Sequence, residues 1–147
     1  HLVGNYTGFE SYYQKLIDYV DKLQVKNINF TGHVSCAQIL SYYNAADLFL
    51  CMSDHEGFCV PLVEAMQFGV PIIAKDTTAI SSTLGKSGFL MKESPPQVVA
   101  GIMYKILNDK KLSKQIVMGE RERLTDFDHD KIGQRWLETL KEYFIIE

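Results

Sequence analysis

The 147-residue sequence lacks long hydrophobic runs, an excess of positive charge and paired cysteines. Its longest apolar stretches, Leu48–Met52 and Gly69–Ala74, have the length of strands and fall short of the roughly 18 residues that a membrane-spanning helix needs. The 15 Lys and Arg residues are outnumbered by 18 Asp and Glu residues, which argues against a surface that binds nucleic acid. The apolar fraction is normal and the net charge is only −3, which excludes intrinsic disorder and indicates a globular domain.

The three cysteines, Cys36, Cys51 and Cys59, are odd in number and show no CxxC spacing, which argues against a disulfide framework or a zinc cage. Such cysteine usage is typical of a reducing compartment, so we expect a cytoplasmic protein. The chain opens without Met and without the basic and apolar segments of a signal peptide. We therefore expect it to begin inside a longer protein.

Short apolar runs alternate with amphipathic helical patterns along the chain. Periodicity predicts strands near residues 2–3, 27–31, 48–52, 70–74 and 88–91. Helices are predicted between them, one with a capping box at Ser35 and Gln38 and one that ends at Gly69. The pattern becomes wholly helical from about Ser94. This order predicts an α/β fold, with a doubly wound, Rossmann-like parallel sheet, helices on both faces and a helical C-terminal tail. With 46% apolar residues and about the length of one domain, residues 1–147 should fold as a single unit.

One segment combines the features of a ligand site. Residues 53–60 follow a predicted strand and lead into a helix that should begin at Pro61. Ligands of open α/β sheets bind at the carboxyl ends of strands, and a helix N-terminus favours phosphate. Gly57 lets the backbone approach a ligand closely. Glu56 in the loop and Glu64 in the first helical turn suit neutral hydroxyls better than a pyrophosphate, so the segment predicts a nucleotide-sugar site.

Simpler interpretations of these residues remain open at this point. Glu64 alone is commonly a helix-stabilising residue, and Glu56 alone a solvated loop acid. A metal cluster at Asp54, His55 and Glu56 is disfavoured because adjacent side chains point in different directions. A glycosidase-type acid pair is possible in principle, although no substrate cleft can be identified from the sequence.

Residues 56–66 resemble the E-x7-E signature of retaining glycosyltransferase family 4. The resemblance extends over nearly the whole chain, through Gly4 and four further segments at family-like spacing: 30–34, 43–47, 69–74 and 88–90. It implies that residues 1–147 form the C-terminal, donor-binding half of a GT-B fold, cut at its N-terminal edge, without the N-terminal acceptor domain. The reaction implied is transfer of a hexosyl group from a UDP-, GDP- or ADP-sugar to an acceptor hydroxyl with retention of configuration, without a metal or another cofactor.

The resemblance also implies a role for each matching residue. Glu56 would contact the transferred sugar, and Glu64 the ribose hydroxyls. Backbone amides would bind the sugar and diphosphate at Gly57, Phe58, Cys59 and Val60. Val34 would contact the base. The acceptor, a sugar or a lipid-linked glycan, would belong to the missing domain, and the full-length protein would associate with the inner face of the membrane only peripherally.

Three departures from the family pattern affect these expectations. Cys59 stands where Gly is usual, so a backbone-only role at this position requires a negative φ. Ser81 and Ser82 replace a common Pro-Glu pair, which removes that acid. The family's Arg/Lys pair for the diphosphate would lie before His1, so we expect the chain alone to bind nucleotide weakly or not at all and to be inactive.

Two other classes of protein compete with this interpretation. A non-catalytic α/β module, such as a receiver-like regulatory domain, needs an acceptor Asp after a strand, whereas Asp47 precedes one. An epimerase or phosphorylase with GT-B architecture would carry the same segments but release an isomer or a free sugar. The final helix adds an apolar stripe, part of which we expect to be exposed: Trp136, Leu137, Leu140, Tyr143 and Phe144.

Overall fold

The computed structural model describes residues 1–144. The elements in chain order are β1 (Leu2–Val3), α1 (Glu10–Lys22), β2 (Phe30–Gly32), α2 (Cys36–Ala45), β3 (Phe49–Cys51), α3 (Val60–Phe68), β4 (Ile72–Lys75), α4 (Ile80–Leu84), β5 (Phe89–Met91), α5 (Pro96–Asn108), α6 (Lys110–Leu124), a 3-10 turn (Thr125–Phe127) and α7 (His129–Tyr143). The alternation of strands and helices confirms the predicted α/β class. The last three residues of the predicted 1–147 domain lie outside the described part.

The described chain divides into two compact units, and the first comprises residues 1–45. Its strands β1 and β2 pair in parallel. The rings of Tyr6 and Tyr13 stack at 4.1 Å, and Tyr13 meets Phe30 edge-on. The capping box that the sequence predicts for α2 is present, because the backbone N–H of Ser35 donates to Gln38 Oε1 at 2.8 Å and the N–H of Gln38 donates to Ser35 Oγ at 3.4 Å.

The second unit contains a three-stranded parallel sheet in the order β3-β4-β5. The central strand is the most buried, since Ile72, Ile73 and Ala74 are 0% exposed. Such an apolar run is typical of a strand covered on both faces. In the pairing register, Cys51 lies opposite Ala74, and the last residue of β4, Lys75, pairs with Met91 at the end of β5. The carboxyl ends of all three strands therefore share one edge.

Helix α3 connects β3 to β4 and places Leu62, Ala65 and Met66 in the core. It ends at Gly69, whose φ of +66° supports a left-handed C-cap. There the N–H of Val70 donates to Ala65 O and the N–H of Gly69 to Met66 O, both at 3.0 Å. The helix begins at Val60, one residue before the predicted Pro61, which lies in the first turn where its missing N–H removes no hydrogen bond of the helix.

Helix α6 packs against α3 and α5 and contributes a buried carboxyl group. Glu120 is 0% exposed, and its Oε1 accepts the backbone N–H of Ile72 at 2.8 Å. Its Oε2 has no hydrogen-bond partner in the described structure. Burial raises the pKa of this carboxyl to about 7, against the lowering effect of that hydrogen bond.

Helix α7 leaves most of its apolar stripe exposed, whereas Leu140 is half-buried. Trp136 is 63% exposed and Tyr143 73%. The helix begins at His129, with Asp128 accepting from the backbone N–H groups of Asp130 and Lys131 as the N-cap. Within residues 1–144, we find no helix with both the length and the apolar character of a membrane span.

Candidate functional site

The loop from residue 52 to residue 59 joins β3 to α3 at the carboxyl edge of the second unit's sheet. The segment from residue 76 to residue 79 follows β4 at the same edge, because β3 and β4 are neighbours and run in parallel. The two segments form a series of hydrogen bonds, so the candidate site is a pair of loops held together rather than one free loop.

Two consecutive threonines hold the first part of the loop. The hydroxyl of Thr77 donates to Ser53 O at 2.8 Å. Thr78 Oγ1 accepts the backbone N–H of Glu56 at 2.9 Å and donates to Glu56 O, also at 2.9 Å. Both backbone polar groups of Glu56 are thus satisfied, and its half-buried side chain is not used to fix the loop.

A second set of contacts holds the loop at Phe58. The hydroxyl of Thr83, in α4, donates to Phe58 O at 2.6 Å. The Phe58 ring meets Phe127 edge-on at 5.6 Å, and the guanidinium of Arg123 lies 4.8 Å from the centre of the Phe127 ring. Arg123 Nε in turn donates to Thr83 O at 2.9 Å. These four residues form a closed ring of contacts, which we call the Phe58 brace.

Arg123 extends the brace to the end of α4. Its Nη2 donates to Ser82 O at 2.6 Å, and its Nη1 pairs with Asp126 at 2.8 Å. Cations that bind the free carbonyls at a helix C-terminus stabilise the helix. Arg123 therefore stabilises α4, which carries Thr83, and through Thr83 the candidate loop.

Cys59 connects the loop to α3 in an unusual backbone conformation. Its φ is +63°, so the negative φ that the sequence analysis set as the condition for a backbone-only role is not found. The left-handed conformation accounts for the Gly that is usual at this position, since Gly adopts it without steric cost. The side chain is 7% exposed with its Sγ 3.8 Å from Cys51 Sγ, so it fills the interior instead of the ligand side. Burial raises the pKa of the Cys59 thiol to about 12, with further contributions from Cys51 and Glu56.

Lys75 is the cation at the end of β4. Its Nζ pairs with Asp54 at 2.6 Å and with Glu93 at 2.5 Å, and its side chain is only 14% exposed. The hydrogen bond to Asp54 makes the largest contribution to the raised pKa of Lys75, and the same bond lowers the pKa of Asp54. The lysine thus anchors Asp54, a loop residue, to the central strand.

The structure brings most of the predicted site residues onto this loop. Glu56 is half-buried, Gly57 and Phe58 are exposed, and Val60 is the exposed first residue of α3. Their backbone lies at the start of a nine-residue helix, where free N–H groups and the helix dipole favour an anion.

Two predicted site residues lie elsewhere. Glu64 is the fifth residue of α3 and is half-buried, so its predicted place in the first helical turn is wrong. The shift follows from the start of the helix at Val60. Val34 belongs to the first unit, where it is half-buried between β2 and the capping box of α2.

The sequence analysis missed the residues that hold the loop, namely Thr77, Thr78, Thr83 and Arg123. The position of Thr77 and Thr78 directly after a buried strand was the available signal, because loops that follow adjacent parallel strands meet. It also missed the approach of Cys51, Glu56 and Cys59, whose ligand atoms all lie within 4.8 Å of one another.

Comparisons with known proteins agree with one another. The family model described as Glycosyl transferases group 1 matches residues 2–123. The capsular polysaccharide biosynthesis glycosyltransferase CapM of Staphylococcus aureus is 28% identical over 132 residues, which are 88% of this chain and 34% of CapM. The chain thus spans about a third of that relative.

Two solved structures are similar in fold. Anabaena HepE, crystallised with UDP and glucose, has a TM-score of 0.82 and 27% identity, with 96% of this chain and 40% of HepE covered. The C-terminal domain of a glycosyl transferase group 1 protein (LpcC) from Francisella tularensis has a TM-score of 0.65 and 25% identity, with 78% of this chain and 61% of that chain covered. The predicted similarity to the C-terminal part of a GT-B enzyme is thereby confirmed at the level of fold.

Proposed function

Because this chain belongs to the Glycosyl transferases group 1 family, we propose that it forms the donor-binding part of a retaining hexosyltransferase. The enzyme would bind a nucleoside-diphosphate sugar and transfer the hexosyl group to an acceptor hydroxyl. The observation that carries the proposal is the loop at the sheet edge, in which Glu56 is fixed by its backbone and the chain then enters the N-terminus of α3. A UDP-sugar is the first donor to test, since HepE was crystallised with UDP.

The candidate site suggests a division of roles. The Glu56 carboxylate, which the loop does not need for its own structure, would accept hydrogen bonds from hydroxyls of the transferred sugar. The backbone N–H groups of Gly57 through Val60 would bind the sugar and the diphosphate. Glu64, the fifth residue of α3, would accept from the ribose hydroxyls, and Val34 would contact the base.

Departure of the diphosphate is the step that the loop would assist. Negative charge grows on the leaving phosphate as the glycosidic bond breaks. Fixed N–H dipoles at a helix N-terminus stabilise such charge without reorganisation during the reaction. We therefore propose transfer that needs no metal ion, and a chelator should not lower the rate.

The whole protein's activity is also a proposal, because this chain spans 34% of CapM and 40% of HepE. We propose that a further domain binds the acceptor, a sugar or a lipid-linked glycan, at the cytoplasmic face of a membrane. Residues 1–147 alone should then bind nucleotide weakly and transfer nothing.

The experiment is a transfer assay on the full-length protein with UDP-sugars, in which UDP release is measured and the anomeric configuration of the product is read by NMR. Glu56→Gln should lower kcat by about 100-fold or more, the typical cost of losing a group that stabilises a transition state. Glu122→Gln, on the exposed face of α6, is the matched control and should not change kcat. Full activity of Glu56→Gln would contradict the proposal, inverted product would contradict retention, and a free sugar or an isomer would indicate a phosphorylase or an epimerase.

A further inference from the structure

Two buried thiols and one carboxylate converge beneath the candidate loop. Cys51 ends β3, Cys59 precedes α3, and Glu56 lies in the loop between them. Both cysteines are 7% exposed, and their Sγ atoms are 3.8 Å apart. The two sulfur atoms and a carboxylate oxygen of Glu56 all lie within 4.8 Å of one another. The sequence motif contains Glu56 and Cys59, but it does not include Cys51 or predict that the three side chains meet.

The spacing of the two sulfur atoms matches the requirement of a tetrahedral metal site. A zinc–sulfur bond is about 2.3 Å long, so two thiolates on one tetrahedral ion lie about 3.8 Å apart. Little movement of Cys51 or Cys59 would be needed to bind such an ion. Thiolates prefer soft or borderline ions to Mg²⁺ or Ca²⁺, and a carboxylate is a common additional ligand of zinc.

We propose that Cys51, Cys59 and Glu56 form a binding site for one thiophilic divalent cation, with Zn²⁺ as the best match. Water would occupy the fourth position on the open side of the loop, where Glu56 is half-buried. On binding, each thiol loses its proton to solvent and forms a metal–sulfur bond, while the cation keeps its oxidation state.

Other contacts already fix the backbone positions of Glu56 and Cys59, as a metal site would require. The backbone of Glu56 is fixed by Thr78, and Cys59 is held by its left-handed conformation and the start of α3. Ser53 Oγ lies 3.7 Å from Cys51 Sγ and is the nearest neutral polar group recorded for that sulfur in the described structure. Groups of this kind orient the ligands of a metal site.

A cation at this site would affect transfer through Glu56. A carboxylate oxygen bound to the metal cannot accept a hydrogen bond from a sugar hydroxyl with the same lone pair. The cation would therefore inhibit transfer instead of assisting it. This consequence rests on the proposed function, whereas binding of the cation does not.

Cobalt is a suitable probe because thiolate-bound Co²⁺ has a charge-transfer absorption band. We would titrate CoCl₂ into the reduced 147-residue chain and expect one thiolate-bound Co²⁺ per chain, displaced by Zn²⁺. Cys59→Gly suits the φ of +63° and removes one ligand without straining the backbone, and it should abolish the band. Glu56→Gln should weaken Co²⁺ binding about tenfold or more. Cys36→Ser, at an exposed cysteine of the first unit, should bind Co²⁺ like the wild type.

The proposal is overturned if the wild-type chain shows no thiolate band, if the band survives in Cys59→Gly, or if it disappears in Cys36→Ser. The transfer assay on the full-length protein separates this outcome from failure of the proposed function. Inhibition by Zn²⁺ that is relieved in Cys59→Gly supports both the site and the role of Glu56. Binding of Zn²⁺ with undiminished transfer supports the metal site and contradicts the role proposed for Glu56.

Discussion

The side-chain hydroxyl of Thr78 binds both backbone polar groups of Glu56, accepting from its N–H and donating to its carbonyl at 2.9 Å each. Thr78 does so with a φ of +41°, a conformation that is uncommon for a β-branched residue. Such backbone strain costs about 1–3 kcal/mol and persists where surrounding contacts impose it. Thr78 therefore stabilises the position of Glu56 while leaving the carboxylate available for a ligand.

We expect Thr78→Val to lower the kcat of the full-length protein about 10- to 100-fold. Valine keeps the branched shape but leaves the N–H of Glu56 without its partner and the carbonyl with only the 3.4 Å bond from the N–H of Ala79. Small displacements at a reacting centre reduce rates on this scale. Steady-state transfer kinetics would measure the change. Thr78→Ser keeps the hydroxyl and should retain most of the rate, so an equal loss in both variants would contradict a role for the hydrogen bonds.

Removal of Arg123 should destabilise the protein. Arg123→Ala breaks the bonds to Ser82 and Thr83 and the contact with Phe127, and we expect a loss of about 2 kcal/mol in the free energy of unfolding. Urea denaturation would measure it. Arg123→Lys should recover less than half, because lysine lacks the planar fork that reaches two carbonyls.

Arg135→Ala, on the exposed face of α7, is the control for this measurement and should change stability by no more than about 0.5 kcal/mol. Equal effects of the Arg123 and Arg135 substitutions would show that the Phe58 brace does not stabilise the fold.

The buried carboxyl of Glu120 should make stability depend on pH. Its folded pKa of about 7 exceeds the ordinary 4.5, so between these values the folded chain binds more protons than the unfolded chain. The contribution of Glu120 to the free energy of unfolding should therefore be fully present below pH 4.5 and be lost as the pH rises through 7. Between pH 5 and pH 8, Glu120 should account for a loss of about 2 kcal/mol.

Urea midpoints at pH 5 and pH 8 test this expectation. Glu120→Gln should lose less stability over the interval than the wild type, since the amide does not ionise. Glu122→Gln changes an exposed acid two residues away and should behave like the wild type. If Glu120→Gln shows the same pH dependence as the wild type, that dependence comes from other groups and the prediction is wrong.

Cys59 offers a direct test of the left-handed backbone at the start of α3. Both Cys59→Gly and Cys59→Ala remove the sulfur, but only alanine keeps a Cβ at φ +63°. We expect the glycine variant to be more stable than the alanine variant by about 1 kcal/mol in thermal or urea unfolding. At Cys51, within β3, the alanine variant should be more stable than the glycine variant. Greater stability of Cys59→Ala would contradict the left-handed assignment.

Local signals in the sequence predicted local structure well. The Ser35 and Gln38 spacing predicted a capping box that is present, and the alternation of apolar runs with helical patterns predicted the α/β class. The position of Gly69 correctly predicted the end of α3. These features depend on residues close together in the chain.

What could not be predicted depends on contacts across the chain. The hydroxyl of Thr83 reaches Phe58 over 25 residues, and Arg123 reaches Thr83 over 40, so no periodicity reports either contact. Glu120 accepts the N–H of Ile72 across 48 residues, whereas in the sequence it resembles an ordinary acid on a helix surface. The left-handed φ of Cys59 could not be predicted because the identity of a residue does not determine its backbone conformation.

The most direct test of the central claim is calorimetric titration of the full-length protein with UDP, GDP and ADP, comparing the wild type with Glu64→Ala and with Glu122→Ala as the control. If Glu64 accepts hydrogen bonds from the ribose hydroxyls, Glu64→Ala should raise the Kd of the preferred nucleotide about 10- to 100-fold, and the control should leave it unchanged. No binding of any of the three nucleotides to the wild type, or equal binding to the wild type and Glu64→Ala, would contradict the assignment of this chain as the donor-binding part of the enzyme.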